Sequence, residues 1–394
     1  MWLLCAGAAT SQIVNNQVQL GDVFATQQLD VVTASSDTTA VTTATGNSLG
    51  GTVQSGDLDI QSHQSVAGAV AAQTVVNIAA DGGDTTSMTT AATGNTGDAG
   101  IDSGGTLSGN FVQTSTSASI SGESQLNAQD AQTGNAAFAV QAIANSQGFG
   151  ATDSTVNATV GQSSTSNAVA NGGAVVGFIP GDASFSAAAV GNNVTSVGVG
   201  ASTQTLGVTQ SQAGDLVQGA QFTNLGTSQN TNTSATATGN NVNATNEQGA
   251  FTVGVNQDNQ SFVHAQAVET SFEFGGASTS AFGVGNSTLA GNFGPSIVLN
   301  NTQVSGANGV EATASFTGDS GFDSFTSATA MGNAAIGFAC SACGGVMTVH
   351  NSQTNLGDAG ATATTTLTSG ARSVRGTATA VGNNGTFYVT KPGN

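Results

Sequence analysis

Two landmarks return along this chain with one period, and that limits the fold more than any single motif does. A Gly-Asn step occurs at Gly46-Asn47, Gly94-Asn95, Gly134-Asn135, Gly191-Asn192, Gly239-Asn240, Gly285-Asn286, Gly332-Asn333 and Gly382-Asn383. The mean spacing is 48 residues, and the short and long intervals on either side of Gly134 nearly cancel, so the third copy reads as displaced. A glutamine gives an independent series: Gln17, Gln64, Gln113, Gln162, Gln210, Gln257, Gln303 and Gln353, at intervals of 46 to 50. Some copies add a turn after the glutamine, as in Gly21-Asp22, Gly214-Asp215 and Gly357-Asp358. A fixed period of this length means stacked units, each burying its apolar face only against its neighbours.

The residues leading into Gly-Asn say what the unit is made of. Thr233-Ser234-Ala235-Thr236-Ala237-Thr238 and Gly376-Thr377-Ala378-Thr379-Ala380-Val381 alternate small residues with mostly Thr, Ser or Val. Thr326-Ser327-Ala328-Thr329-Ala330-Met331 follows the same rule, while the third copy breaks it with Asp130 and Gln132. Period two is a strand, with one face of Ala and Gly. Such a face lets another backbone approach closely and suits a thin, stacked sheet. The Gly-Asn step reads as a corner, because glycine accepts positive φ and asparagine tolerates the left-handed region. Stacked in register, the corner asparagines can form a hydrogen-bonded ladder.

The expectation is therefore an all-β repeat protein, a β-solenoid of about eight 48-residue repeats. Two coils per repeat would give about 16 rungs and a rod of order 75 Å at ~4.8 Å per rung. A flatter meander or β-prism is the rival. Residues 1–10 read as a signal-peptide remnant, 11–384 as one repeat domain, and 385–394 as a C-terminal cap strand and tail. The segment Met1-Trp2-Leu3-Leu4-Cys5-Ala6-Gly7-Ala8-Ala9-Thr10 has a short apolar core followed by small residues, which predicts export. A lipoprotein reading at Cys5 suffers from Leu4, where a small residue is usual.

Charge removes several function classes. Only 3 residues are Lys or Arg against 22 Asp and Glu, for a net charge of −19, and no Lys or Arg precedes Arg372. Nucleic acid is excluded as a partner, since phosphate must be neutralised by basic side chains. No apolar run approaches the ~20 residues of a membrane-spanning helix. The abundance of Val and Thr argues against ordinary disorder. A cationic partner is favoured, with salt-sensitive binding.

A search for chemistry finds no catalytic, cofactor or metal site. His63, His264 and His350 lack a matching nucleophile motif. The carboxylate pairs Asp57/Asp59, Asp81/Asp84, Asp319/Asp323 and Glu269/Glu273 occupy different phases of the repeat, and a sugar cleft's aromatic and Arg residues are scarce. Close carboxylates could split their pKa values for glycoside chemistry, which keeps a β-helical polysaccharide-degrading enzyme as the reading from another class. Asp81-Gly82-Gly83-Asp84 resembles a calcium loop but does not repeat. Cys340 and Cys343 have no second ligand pair, so a local disulfide is expected rather than a zinc site. Sequons at Asn157, Asn193, Asn243 and Asn286 follow from composition.

The stretches Ile13-Val14-Asn15-Asn16-Gln17-Val18-Gln19-Leu20-Gly21-Asp22, Thr43-Ala44-Thr45-Gly46-Asn47-Ser48, Phe185-Ser186-Ala187-Ala188-Ala189-Val190-Gly191-Asn192-Asn193-Val194 and the closing Ala380-Val381-Gly382-Asn383 with Phe387-Tyr388-Val389 resemble the HfaD-type holdfast-anchoring proteins of stalked alphaproteobacteria. The resemblance implies an exported protein at the cell surface, associated with the outer membrane, that anchors an adhesive holdfast polysaccharide without catalysis. It implies two further partners, a curlin-like anchor protein and a curli-secretion-type outer-membrane lipoprotein. The family offers no catalytic residues to carry over. A generic biofilm-matrix or adhesin fibre subunit is the structural alternative, and self-assembly through strand edges stays open.

Overall fold

The computed structural model describes residues 10–340 and 343–390. The signal remnant, including Cys5, lies outside the described residues, as do the last four positions of the chain. The first three coils hold three strands each: β1–β3 (Thr10–Gln19, Val23–Thr33, Asp37–Val53), β4–β6 (Asp57–Val66, Val70–Asp81, Thr85–Asp102) and β7–β9 (Thr106–Ser115, Ser119–Gln132, Asn135–Thr152). In the next five the second and third strands run together. These are β10–β11 (Thr155–Ser164, Asn167–Val199), β12–β13 (Thr203–Gln212, Leu216–Asn246), β14–β15 (Phe251–Asn259, Phe262–Asn292), β16–β17 (Ser296–Ser305, Val310–Cys340) and β18–β19 (Val346–Asn355, Ala359–Thr390). No helix occurs among the described residues.

All the pairing is parallel, and it keeps register except for bulges where the second limb passes into the third. The short strands form one eight-stranded sheet, β1-β4-β7-β10-β12-β14-β16-β18, and the longer segments form the other. The chain is a β-solenoid, in which every contact-making coil touches its sequence neighbours. The expected two coils per repeat is corrected. Thr10 pairs with Asp57 and Thr155 with Thr203, so one coil consumes a whole 48-residue period. Eight coils at ~4.8 Å give a body of about 38 Å, half the expected length. The long period is used sideways. A first limb of ten residues (β4, for example) and a second of twelve (β5) lie against a third of eighteen (β6) that reaches across both.

The interior follows from alternation. Leu58, Ile60, Ser62, Gln64 and Val66 of β4 all point inward, and their odd-numbered neighbours point outward. The first limb packs on the far half of the third, as Phe111 does edge-on against Phe149 at 5.1 Å. The second limb packs on the near half, where Ala170 and Ala237 share a narrow core with Val76 and Leu126. That core is thin because its residues are small: a Cβ on Gly219 would stand 2.2 Å from the Thr236 carbonyl oxygen of the opposite limb. Two main apolar compartments result, side by side along the axis, with smaller clusters around Val66 and Val70 and around Phe274 and Phe316.

In seven of the eight copies the Gly-Asn step is not a corner, and this too corrects the sequence reading; only Gly134-Asn135 stands at a turn. In those seven it lies within a continuous strand, opposite the turn joining the first two limbs. Gly94 and Asn95 are buried in succession, so the pleat changes phase there and both halves of the limb keep their inward rows. None of the landmark glycines has positive φ. The constraint is close approach. A Cβ on Gly239 would sit 2.4 Å from the Gly285 carbonyl oxygen one coil above and 2.5 Å from Asn259 Oδ1.

The segment expected to be a cap, Thr386 to Thr390, continues β19 and pairs in register with Ile336–Cys340. Among the described residues its other edge has no partner strand.

Candidate functional site

Where the two compartments meet, the repeat's two landmarks face each other. The eight glutamines form one unbroken register row, from Gln17 opposite Gln64 to Gln303 opposite Gln353. Each glutamine from the second coil on donates from Nε2 to Oε1 of the glutamine in the coil before, at 2.7–2.9 Å. The asparagine row runs the other way. Asn47 donates from Nδ2 to Asn95 Oδ1, and so on to Asn383, at 2.7–2.8 Å.

The two ladders also clasp one another. Each glutamine Nε2 donates to the carbonyl one residue beyond an asparagine, as Gln210 does to Asn241 at 2.9 Å. Each asparagine up to Asn333 donates to the carbonyl one residue beyond a glutamine, as Asn240 does to Asp258 at 2.9 Å. An amide carries two donors and an acceptor, and in the middle coils all of these are used. In buried amides so paired the hydrogen bonds offset the cost of desolvation and fix the register of every coil. The opposed polarity also offsets the dipoles of the two rows.

Asn135, assigned to the third copy from sequence, is not in this row. It begins β9, and Asn145 takes the ladder position, accepting from Asn95 and donating to Asn192 at 2.8 Å. Ala144 stands where the other copies have glycine, so the copy is unshifted and its Gly is replaced. Gly134 is part of the turn before β9. A sequence signal existed: glutamine and asparagine are 29 to 31 residues apart in seven copies, 32 apart for Gln113 and Asn145, and only 22 for Gln113 and Asn135.

The acidic candidates are dispersed. Asp57 and Asp59 share an outward face, where Asp57 accepts from the Thr106 amide (2.9 Å) and Asp59 from Gln61 (3.0 Å). Asp81 accepts from Gln132 at 2.7 Å and from the Gly83 amide at 2.9 Å, and these bonds hold its carboxyl below the ordinary range. With Gly83 at φ +88°, Asp81-Gly82-Gly83-Asp84 is the turn between the second and third limbs. Asp319 is held low by the hydroxyls of Thr368 and Ser369, and Asp323 by the Arg372 guanidinium. Glu269 and Glu273 point to opposite sides of the sheet, Glu269 inward and Glu273 to solvent. His63 and His350 are on the outer surface, and His264 stacks on Phe262. Among the described residues, no three His, Cys, Asp or Glu side chains converge. Cys340 and Cys343 are joined as a disulfide. Of the sequons, Asn286 is a buried rung of the ladder.

Among the described residues Glu269 is the one interior carboxylate, and sequence reading paired it wrongly. It accepts from Thr279 Oγ1 at 2.9 Å and from the Thr231 hydroxyl. Burial pushes its carboxyl up, and the Thr231 and Thr279 hydroxyls oppose the shift. The same row carries Leu29, Val76, Leu126 and Ala174 in the first four coils.

Fold and interior define the class: a parallel β-solenoid whose repeat landmarks serve its own stacking. Residues 32–309, which are 278 of the 394, match the family described as Holdfast attachment protein D. The chain belongs to that family, and its role is in holdfast attachment. No curated protein and no solved structure matches it.

Proposed function

We propose that this protein is an exported, non-catalytic structural element that anchors an adhesive holdfast polysaccharide to the outer envelope at the cell surface. Family membership is the observation that carries this reading. The architecture supports it, since the repeat landmarks are consumed in holding coils together and the acidic pairs are separated or engaged by neighbouring amides and hydroxyls. A net charge of −19 suits a partly deacetylated, cationic amino-sugar polymer. A curlin-like anchor protein and a curli-secretion-type outer-membrane lipoprotein would complete the attachment, the first by pairing with an exposed strand edge.

Deletion of the gene in its native host tests the proposal. Holdfast that is still synthesised but shed into the medium is the expected result. Unchanged adhesion with no shedding would sink the anchor reading and favour a generic matrix subunit. Binding to the cationic polymer should weaken between low and high salt; salt-independent binding would remove the electrostatic part.

A further inference from the structure

The amide ladders have ends, and the two ends are complementary. At the first coil, Gln17 Nε2 uses one proton on the Ser48 carbonyl, and no described residue accepts the other. Asn47 Oδ1 has no donor among the described residues, although Asn47 Nδ2 is fully engaged. At the last coil the pattern is inverted. Gln353 Oε1 has no described donor, and Asn383 Nδ2 no described acceptor, while Asn383 Oδ1 takes the bond from Asn333. One end offers a glutamine donor and an asparagine acceptor. The other offers a glutamine acceptor and an asparagine donor, in the same register rows.

Charge repeats the match. Coil one, residues 10–53, contains Asp22, Asp30 and Asp37 and no Lys or Arg, whereas residues 346–390 contain Asp358 against Arg372 and Arg375. Followed from coil to coil, the register places Asp37 of the first coil in the row of Asp182, Asp323 and Ser373. Arg372 already pairs with Asp323 on the coil below it. A further coil laid on the last one in the same register would set Asp37 on its other side. Bulk matches as well: the row that begins with Gly51 ends with Phe387.

We infer that a second copy of this chain stacks head to tail on the first, β18 beside β1 and β19 beside β2 and β3, continuing both ladders across the junction. Gln17 of one copy donates to Gln353 of the other, and Asn383 donates to Asn47. The contact is heterologous and parallel to the axis, so it propagates as a polar filament rather than closing into a dimer. This does not depend on what the filament attaches to.

Two end-specific variants of the full chain test it. Asn383→Asp/Arg372→Glu disables the last coil, because an aspartate at 383 still accepts from Asn333 but sets an acceptor against Asn47. Thr26→Pro/Asp37→Lys disables the first. Val23 N donates to Ala69 O, so by alternation the Thr26 amide points away from the second coil. Sedimentation velocity of the unmodified chain from 1 to 100 μM should show a ladder of species above the monomer, and electron microscopy rods in steps of about 38 Å. Each variant alone should stay monomeric with an unchanged circular-dichroism spectrum. Mixed one to one, the two should give dimers and nothing larger, since one good junction remains. A monomeric parent chain at all concentrations overturns the inference, as do assemblies unaffected by either variant or mixtures that grow past dimers. Should a double variant misfold, Arg372→Glu alone, on an exposed side chain, must still lower the association at least several-fold.

Discussion

The interior holds two kinds of buried polar group, and they meet the same penalty in opposite ways. The Gln–Asn clasp runs through all eight coils, whereas Glu269 occurs in one. An amide both donates and accepts, so an identical amide above and below satisfies it, and a repeat can carry it without limit. A carboxylate only accepts. Glutamates stacked in register would repel, and each would need its own donors. Glu269 therefore sits once, among threonine hydroxyls, in a row otherwise built from Leu, Val and Ala in the early coils. Periodic structure selects groups that are complementary to themselves.

Breaking the clasp in mid-rod gives the largest expected effect. Asn240→Ala strands Asn192 Nδ2, Asn286 Oδ1 and the Asp258 carbonyl. The loss should be about 3–5 kcal/mol in denaturant unfolding. A loss below about 1 kcal/mol would mean that water takes over the clasp. Gly239→Ala comes next, at about 1–3 kcal/mol, because the added methyl meets the Gly285 carbonyl. Ala144 shows that the third coil has adjusted to such a methyl, so Ala144→Gly should shift the midpoint much less.

Glu269→Gln sharpens the contrast and should keep or raise stability at pH 7, by about 1 kcal/mol, since a neutral amide avoids burying charge. The pH dependence follows from the raised carboxyl. The folded chain keeps that proton after the unfolded chain, near its ordinary ~4.3, has lost it. Stability is thus unimpaired below that value and falls as pH rises toward the folded pKa. Subtracting the variant's stability–pH curve from the parent's should leave that downward slope; a flat difference would contradict the buried charge. The smallest effect belongs to Gln353→Ala at the half-exposed end of the ladder, under about 1 kcal/mol for the isolated chain. Under conditions where copies stack, the same substitution should weaken association, which concentration-dependent melting would reveal.

Much of this was legible in the residues themselves. A 48-residue period, strands of alternating Ala and Thr, and a glutamine in every copy pointed to stacked β coils over a flatter meander or β-prism, because identical units at fixed spacing can bury their faces only on each other. The family resemblance was legible too, and the match over residues 32–309 establishes it. Two things were decided only by tertiary structure, and a third, signalled in the residues by the spacing from glutamine to asparagine, was settled there. Whether a period makes one turn or two depends on how limbs fold back across the axis, and local alternation is the same in both cases. The role of the Gly-Asn step depends on which backbone lies one coil away, so glycine looked like a turn residue when it was leaving room for a carbonyl. Asn145 belongs to the ladder and Asn135 does not, because register is set by the glutamine across the interior rather than by the residue next door.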